Sequence, residues 1–216
     1  MPRTGNGPHQ GQPLVRAGTP LEDAEAAVVL VHGRGATARS IVGMAEEFDV
    51  QEVAHLAPQA AGNTWYPNPF TAPVEANEPG RTSGLQAIGD AVTEAREADL
   101  PADRVLVLGF SQGACLAAEY VARNPARYGG LAVLSGGLIG ETVDPDDYWG
   151  DLEGTPVFLG CSDSDPHIAE ARVRESAAVF EELNGEVTTR LYPGMGHGVN
   201  RDEIDRVSRM VARLVE

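Results

Sequence analysis

From residue 27 to the C-terminus, short apolar runs alternate with longer segments of helical apolar spacing. Residues 27–32, 53–57, 104–108, 130–135 and 155–160 carry few polar breaks, as expected of strands covered on both faces. Residues 187–192 read as a further strand and residues 14–17 as a short edge strand. Between them, residues 37–48, 82–98, 112–123, 168–183 and 202–215 read as helices. In the second of these, Leu85, Ile88, Ala91, Val92 and Ala95 share one face. Asn124-Pro125 closes the third. Such alternation predicts an α/β fold with an open, mainly parallel central sheet and helices on both of its faces.

Two stretches break the pattern. Residues 1–12 are rich in Gly, Pro and Gln and read as a mobile N-terminal segment, leaving residues 13–216 as a single domain. Residues 58–80 hold five prolines with Trp65, Tyr66 and Phe70 and show no periodicity, while 140–153 is an acidic, turn-rich connection. Loops after the carboxyl ends of parallel strands are where such folds place their chemistry.

The charge balance narrows the partners. The chain has 32 acidic residues against 16 basic ones, a net charge of −16, and every basic residue is arginine. Phosphate backbones and anionic lipid surfaces would be repelled, which argues against nucleic-acid binding. The acidic residues are scattered, as a carboxylate-rich surface adapted to a salty cytoplasm would be. No stretch approaches the roughly 18 apolar residues of a membrane span, and no signal-peptide pattern opens the chain, so a cytoplasmic protein is expected. Cys115 and Cys161 are placed on a buried helix face and at a strand end, a poor arrangement for a structural disulfide. Self-association into a homodimer is left open.

Against this background one pentapeptide stands out. Gly109-Phe110-Ser111-Gln112-Gly113 follows an apolar strand and leads into a helix, the context a nucleophile elbow requires. A serine hydroxyl is too weak a nucleophile to act alone and needs a base. His197, in Pro193-Gly194-Met195-Gly196-His197-Gly198 after the last strand, can take the serine proton and return it to a leaving group. A carboxylate must then orient the imidazole. The strand at 155–160 runs into Cys161-Ser162-Asp163-Ser164-Asp165-Pro166-His167, so Asp163 and Asp165 both qualify. Asp165 is favoured because Pro166 fixes the local turn and can open the next helix, with Asp163 left for turn or cap hydrogen bonds.

Other readings of these segments are weaker. Cys161, Asp163, Asp165 and His167 are all metal ligands by chemistry, but their spacing does not match a closed zinc site, and no metal or other cofactor is expected. His32-Gly33-Arg34-Gly35 after the first core strand lacks the third glycine of a dinucleotide loop. It suits an oxyanion hole instead, made by the backbone N–H groups of Arg34 and Gln112. His32 is expected to order its own loop. Trp65 and Tyr66 are candidates for the wall of a substrate pocket, and Leu138, Ile139 and Met195 for an acyl site.

The segments Val31-His32-Gly33-Arg34-Gly35, Gly109-Phe110-Ser111-Gln112-Gly113, Ser162-Asp163-Ser164-Asp165-Pro166 and Gly194-Met195-Gly196-His197 together resemble the phospholipase/carboxylesterase family of α/β-hydrolases, which is related to the acyl-protein thioesterases. The resemblance runs from about residue 27 to the C-terminus. It implies an α/β-hydrolase fold without a large cap domain, a triad of Ser111, Asp165 and His197, and an oxyanion hole from the backbones of Arg34 and Gln112. Two departures bear on substrate. Many thioesterases of the group carry Leu-Gly-Asp after His-Gly where this chain has Arg34-Gly35-Ala36, and Pro166 precedes His167-Ile168-Ala169 instead of an apolar residue and Val-Pro. The expected activity is a serine esterase on a small-molecule ester of short or medium acyl length, through an acyl-enzyme. A thioesterase or lysophospholipase is the near alternative. A peptidase on the same scaffold and a non-catalytic binding protein are the more distant ones.

Overall fold

The computed structural model describes residues 7–48 and 50–216. Its sheet contains β1 (Leu14–Gly18), β2 (Ala26–Val31), β3 (Val53–Pro58), β4 (Val105–Phe110), β5 (Gly130–Leu134), β6 (Pro156–Ser162) and β7 (Glu186–Tyr192). They lie side by side in the order β1-β3-β2-β4-β5-β6-β7. Only β1 runs antiparallel to its neighbour, with Val15 opposite Ala57, and the remaining pairs are parallel. The α/β fold expected from the alternation is the one observed.

Strand geometry sends alternate residues to opposite faces. In β2 every residue is buried. Ala27, Val29 and Val31 point into one layer with α2 (Gly80–Glu97), α3 (Gln112–Arg123) and α4 (Glu170–Glu182). Ala26, Val28 and Leu30 point into the other, against α1 (Ala38–Ala45) and α5 (Arg201–Ala212). Each such Val or Leu contributes about 1.5–3 kcal/mol by leaving water, so this central strand needs apolar residues throughout.

Some boundaries differ from the sequence reading, for local reasons. The expected helix at 37–48 is divided: Thr37 and Ser40 close a capping box ahead of α1, and the tail Glu46–Phe48 winds as a 3-10 turn. The helix expected from 168 begins at Glu170, because the N–H groups of His167 and Ile168 are drawn to the Asp165 carboxylate. The segment after β3 is built from the short 3-10 turns Ala61–Asn63 and Val74–Asn77.

One expectation is corrected for part of its range. Residues 1–6 of the segment read as mobile lie outside the described residues, but residues 7–12 fold onto the body. His9 is buried, with Nε2 2.8 Å from the Trp65 carbonyl and Nδ1 accepting the Ala61 N–H at 3.1 Å. Gln10 donates to the Ser83 carbonyl on α2. Composition reads this segment as loose, whereas one histidine between two backbone groups ties it down. Between α2 and α3, buried Glu119 binds Arg81 and Arg123 and also accepts the Ile139 N–H and the Tyr148 hydroxyl. The connection after β5 is thereby fastened to α3.

Candidate active site

Ser111 sits between β4 and α3 with φ 55° and ψ −122°. A non-glycine residue in this conformation is strained by about 1–3 kcal/mol, and the surroundings must hold it there. They do so by close backbone approach. A Cβ on Gly109 would lie 2.2 Å from the Gly113 carbonyl oxygen, and a Cβ on Gly113 would lie 2.1 Å from that of Val31. The elbow glycines thus let the start of α3 press against the end of β2. Backbone bonds from Ser111 N–H to the Leu134 carbonyl and from Cys115 N–H to the Ser111 carbonyl complete the turn.

His197 approaches from the loop after β7. Its Nε2 lies 2.8 Å from Ser111 Oγ and its Nδ1 2.8 Å from Asp165 Oδ2. Asp165 has a fully buried side chain in the turn after β6. Burial alone would raise its carboxyl, but hydrogen bonds from the His167 N–H, from His197 and from the Ile168 N–H outweigh that and hold it below the usual carboxylate range. An ionised Asp165 can only accept, so Nδ1 of His197 carries the proton and Nε2 is free to accept from the serine.

Asp163 takes a different place. Its Oδ1 accepts the Gly194 N–H at 2.9 Å, bracing the loop that carries His197. Ser162 Oγ braces the same loop by accepting the Gly196 N–H. The four alternating residues of the weighed metal reading do not converge. Cys161 Sγ reaches Asp165 at 3.8 Å, and the His167 ring stands edge-on to His197. Among the described residues no group of three metal-ligating side chains comes together. Burial pushes the Cys161 and Cys115 thiols up to about 12, so both are neutral hydrophobes with free sulfhydryls.

A groove of about 510 Å³ opens over Ser111 and His197, with Arg34, Tyr66, Phe70 and Ile168 among its walls. The loop after β2 passes close by, since a Cβ on Gly33 would sit 3.3 Å from Ser111 Cβ. This brings the Arg34 backbone beside the serine. The Gln112 N–H lies in the first turn of α3, where amides have no intrahelical acceptor. The two side chains have a task the sequence did not announce. Arg34 donates to the carbonyls of Tyr66, Pro67 and Asn68. Gln112 accepts the Trp65 N–H and donates to the Tyr66 carbonyl. Together they hold residues 65–68 as a strap along the groove.

The proposed pocket residues divide. Tyr66 borders the groove, but its side chain is buried in the core with the hydroxyl enclosed. Trp65 is fully buried beneath the strap, with Nε1 donating to the His32 carbonyl at 2.8 Å and its ring tilted against that of His32. It supports the loop that carries Arg34 and does not face the groove. Leu138 and Ile139 are packed in the core and are not among the groove's walls, because Arg172 and Glu119 draw the 138–140 backbone inward. Met195 contacts Asn200 at the head of α5, also away from the groove walls. His32 bonds its own loop and the Ala60 N–H. Phe70, Thr71, His167 and Ile168 also line the groove, beyond the residues the sequence pattern nominates. For the last two, their position directly after Asp165-Pro166 was the available signal.

Residues 16–214 match the model of the phospholipase/carboxylesterase family, nearly the whole chain. The chain belongs to that family. The crystal structure of a phospholipase/carboxylesterase from Dyadobacter fermentans superposes with a TM-score of 0.90 at 40% identity, over 93% of this chain and 96% of that one. The acyl-protein thioesterase 1 of Debaryomyces hansenii is 32% identical over 108 residues, 49% of this chain and 46% of that protein. The match thus spans about half the length of the thioesterase. A Bacillus cereus carboxylesterase shares the fold, with a TM-score of 0.74 at 19% identity over 94% of this chain and 95% of that one. No helix among the described residues is long and apolar enough to cross a membrane.

Proposed function

We propose that the chain is a serine hydrolase that cleaves carboxylic esters of short or medium acyl length through an acyl-enzyme. The observation that carries this reading is the continuous array from Ser111 Oγ through His197 to Asp165, with both contacts at 2.8 Å. In the first half-reaction Ser111 Oγ attacks the substrate carbonyl carbon while His197 Nε2 takes its proton. The backbone N–H groups of Arg34 and Gln112 hold the oxyanion, and the dipole of α3 favours negative charge at the second. Collapse breaks the ester C–O bond, and His197 returns the proton to the departing alcohol. Water then repeats the sequence on the acyl-serine, releasing the acid and restoring Ser111. No metal or organic cofactor enters these steps.

Acyl thioesters are the second reading, favoured by the thioesterase names of the fungal relatives. Chemically the leaving thiol needs less help from His197 than an alkoxide does, so the same array serves both. Lysophospholipids are a more distant substrate. The free, buried Cys115 and Cys161 fit a reducing, cytoplasmic setting. The test is turnover of a panel of p-nitrophenyl esters and acyl thioesters by the wild type and by Ser111→Ala at several salt concentrations. A loss of about 10³-fold or more in the variant is expected, and equal rates would overturn the mechanism.

A further inference from the structure

Arg34 presents a charge that its neighbours do not cancel. Arg34 is one of the residues lining the groove over Ser111 and His197. Its partners are three neutral carbonyls, at 2.8 Å from Tyr66, 2.9 Å from Asn68 and 3.1 Å from Pro67. Carbonyl oxygens satisfy N–H donors but leave the unit positive charge in place. Arg81 and Arg123, by contrast, meet the carboxylate of Glu119, and Arg172, stacked over Phe70 at the groove wall, meets Glu175. Among the described residues Arg34 has no such ion pair.

The groove itself is free of carboxylates. None of its walls is Asp or Glu, in a chain with twice as many acidic as basic residues. Asp165, the nearby acid, is fully buried and engaged with His197 and two backbone amides. The acidic surface elsewhere is screened beyond about 8–10 Å at ordinary ionic strength, so a carboxylate entering here responds mainly to Arg34. Three N–H bonds to the strap leave two of the five guanidinium donors, the Nε–H and one on Nη1, available to a carboxylate oxygen. On the other wall the exposed His167 offers an additional polar contact at the groove mouth.

We infer that Arg34 selects substrates bearing a negative charge, and that the preferred substrate is an ester or thioester whose acyl part ends in a carboxylate. This rests on the hydrolase reading above. The side chain of Arg34 is a specificity determinant, separate from the backbone N–H assigned to the oxyanion.

The test compares kcat/KM for two esters matched in length, p-nitrophenyl hydrogen adipate and its methyl ester, each corrected for spontaneous hydrolysis. Wild type is expected to favour the anionic ester about tenfold at about 0.15 M salt, and molar salt should erode that ratio. In Arg34→Gln the ratio should fall to about one or below, while Arg34→Lys should keep part of it. Because a ratio is read, any general loss from a loosened strap cancels. A wild type that hydrolyses both esters equally, with both rates lost in Ser111→Ala, overturns this inference alone. A preference that persists undiminished in Arg34→Gln also overturns it. Hydrolysis of neither ester above the Ser111→Ala rate overturns this inference together with the hydrolase reading.

Discussion

Asp165 divides its carboxylate between a ring and a turn: Oδ2 lies 2.8 Å from His197 Nδ1, and Oδ1 accepts the backbone N–H groups of His167 and Ile168. One oxygen therefore sets the imidazole tautomer while the other fixes where that oxygen points. Asp165→Asn keeps the shape but presents an amide that stabilises the wrong tautomer and no imidazolium. We expect kcat to fall about 10³–10⁴-fold, with Asp163→Asn, at the Gly194 N–H, within about tenfold of wild type. Single-turnover acylation rates of the two variants check this. The reverse order would move the acid to Asp163. The depressed titration of Asp165 also makes it a source of stability that is present above its unfolded value and lost as pH falls through its folded one. Below about pH 4, Asp165→Asn should lose stability less steeply than wild type.

Gly113→Ala should be severe. The new methyl meets two backbone oxygens, 2.1 Å from Val31 and 2.5 Å from His32, neither of which can swing aside. We expect a loss of about 3 kcal/mol or more, read as a lower urea midpoint. Gly43→Ala, in α1 with nothing within 4 Å of its added Cβ, should instead gain about 0.5–1 kcal/mol. Similar midpoints for the two variants would contradict the backbone crossing at the elbow.

Glu203 carries a pH dependence of the opposite sense to Asp165. Buried at the head of α5, it has Oε2 on the Asn200 N–H while Oε1 has no partner. Burial raises its carboxyl to about 7, against a smaller lowering by the Asn200 hydrogen bond. The folded state therefore binds this proton more tightly than the unfolded chain. Its stabilising share is whole below the unfolded value near 4.5 and is lost as pH rises through about 7. Glu203→Gln keeps the capping acceptor and removes the titration. Between pH 5 and pH 8 the wild type should lose up to about 3 kcal/mol relative to this variant. Parallel stability curves from urea titrations across that range would refute it.

The net charge of −16 predicts a response to salt. Exposed carboxylates such as Glu46 and Glu47 in one turn, and Asp146 and Asp147 in another, repel one another within each pair. Added salt screens that repulsion, so the melting temperature should rise between low and molar NaCl. A fall in Tm over that range would count against adaptation to a salty interior.

The sheet and the Ser111, Asp165 and His197 positions were legible because each rests on local pattern. Buried parallel strands must be apolar throughout, as residues 26–31 are, and an elbow needs small residues at fixed spacing. What escaped depends on contacts between distant segments. Nothing in Pro8-His9-Gln10 tells that His9 meets Trp65 and Ala61. Trp65 and Tyr66 are adjacent, chemically alike and both buried, yet only Tyr66 borders the groove. Bonds to residues far along the chain distinguish them: Trp65 Nε1 donates to the His32 carbonyl, while Arg34 and Gln112 donate to the Tyr66 carbonyl.

Those bonds hold the strap by its main chain. Arg34 and Gln112 bond the peptide groups of residues 65–68. Pro69 and Thr71, both exposed, therefore form an exchangeable facing on a fixed mount, whereas Phe70 is buried against Arg172. A library confined to those two exposed positions could retune acyl preference while the machinery around Ser111 stays as it is.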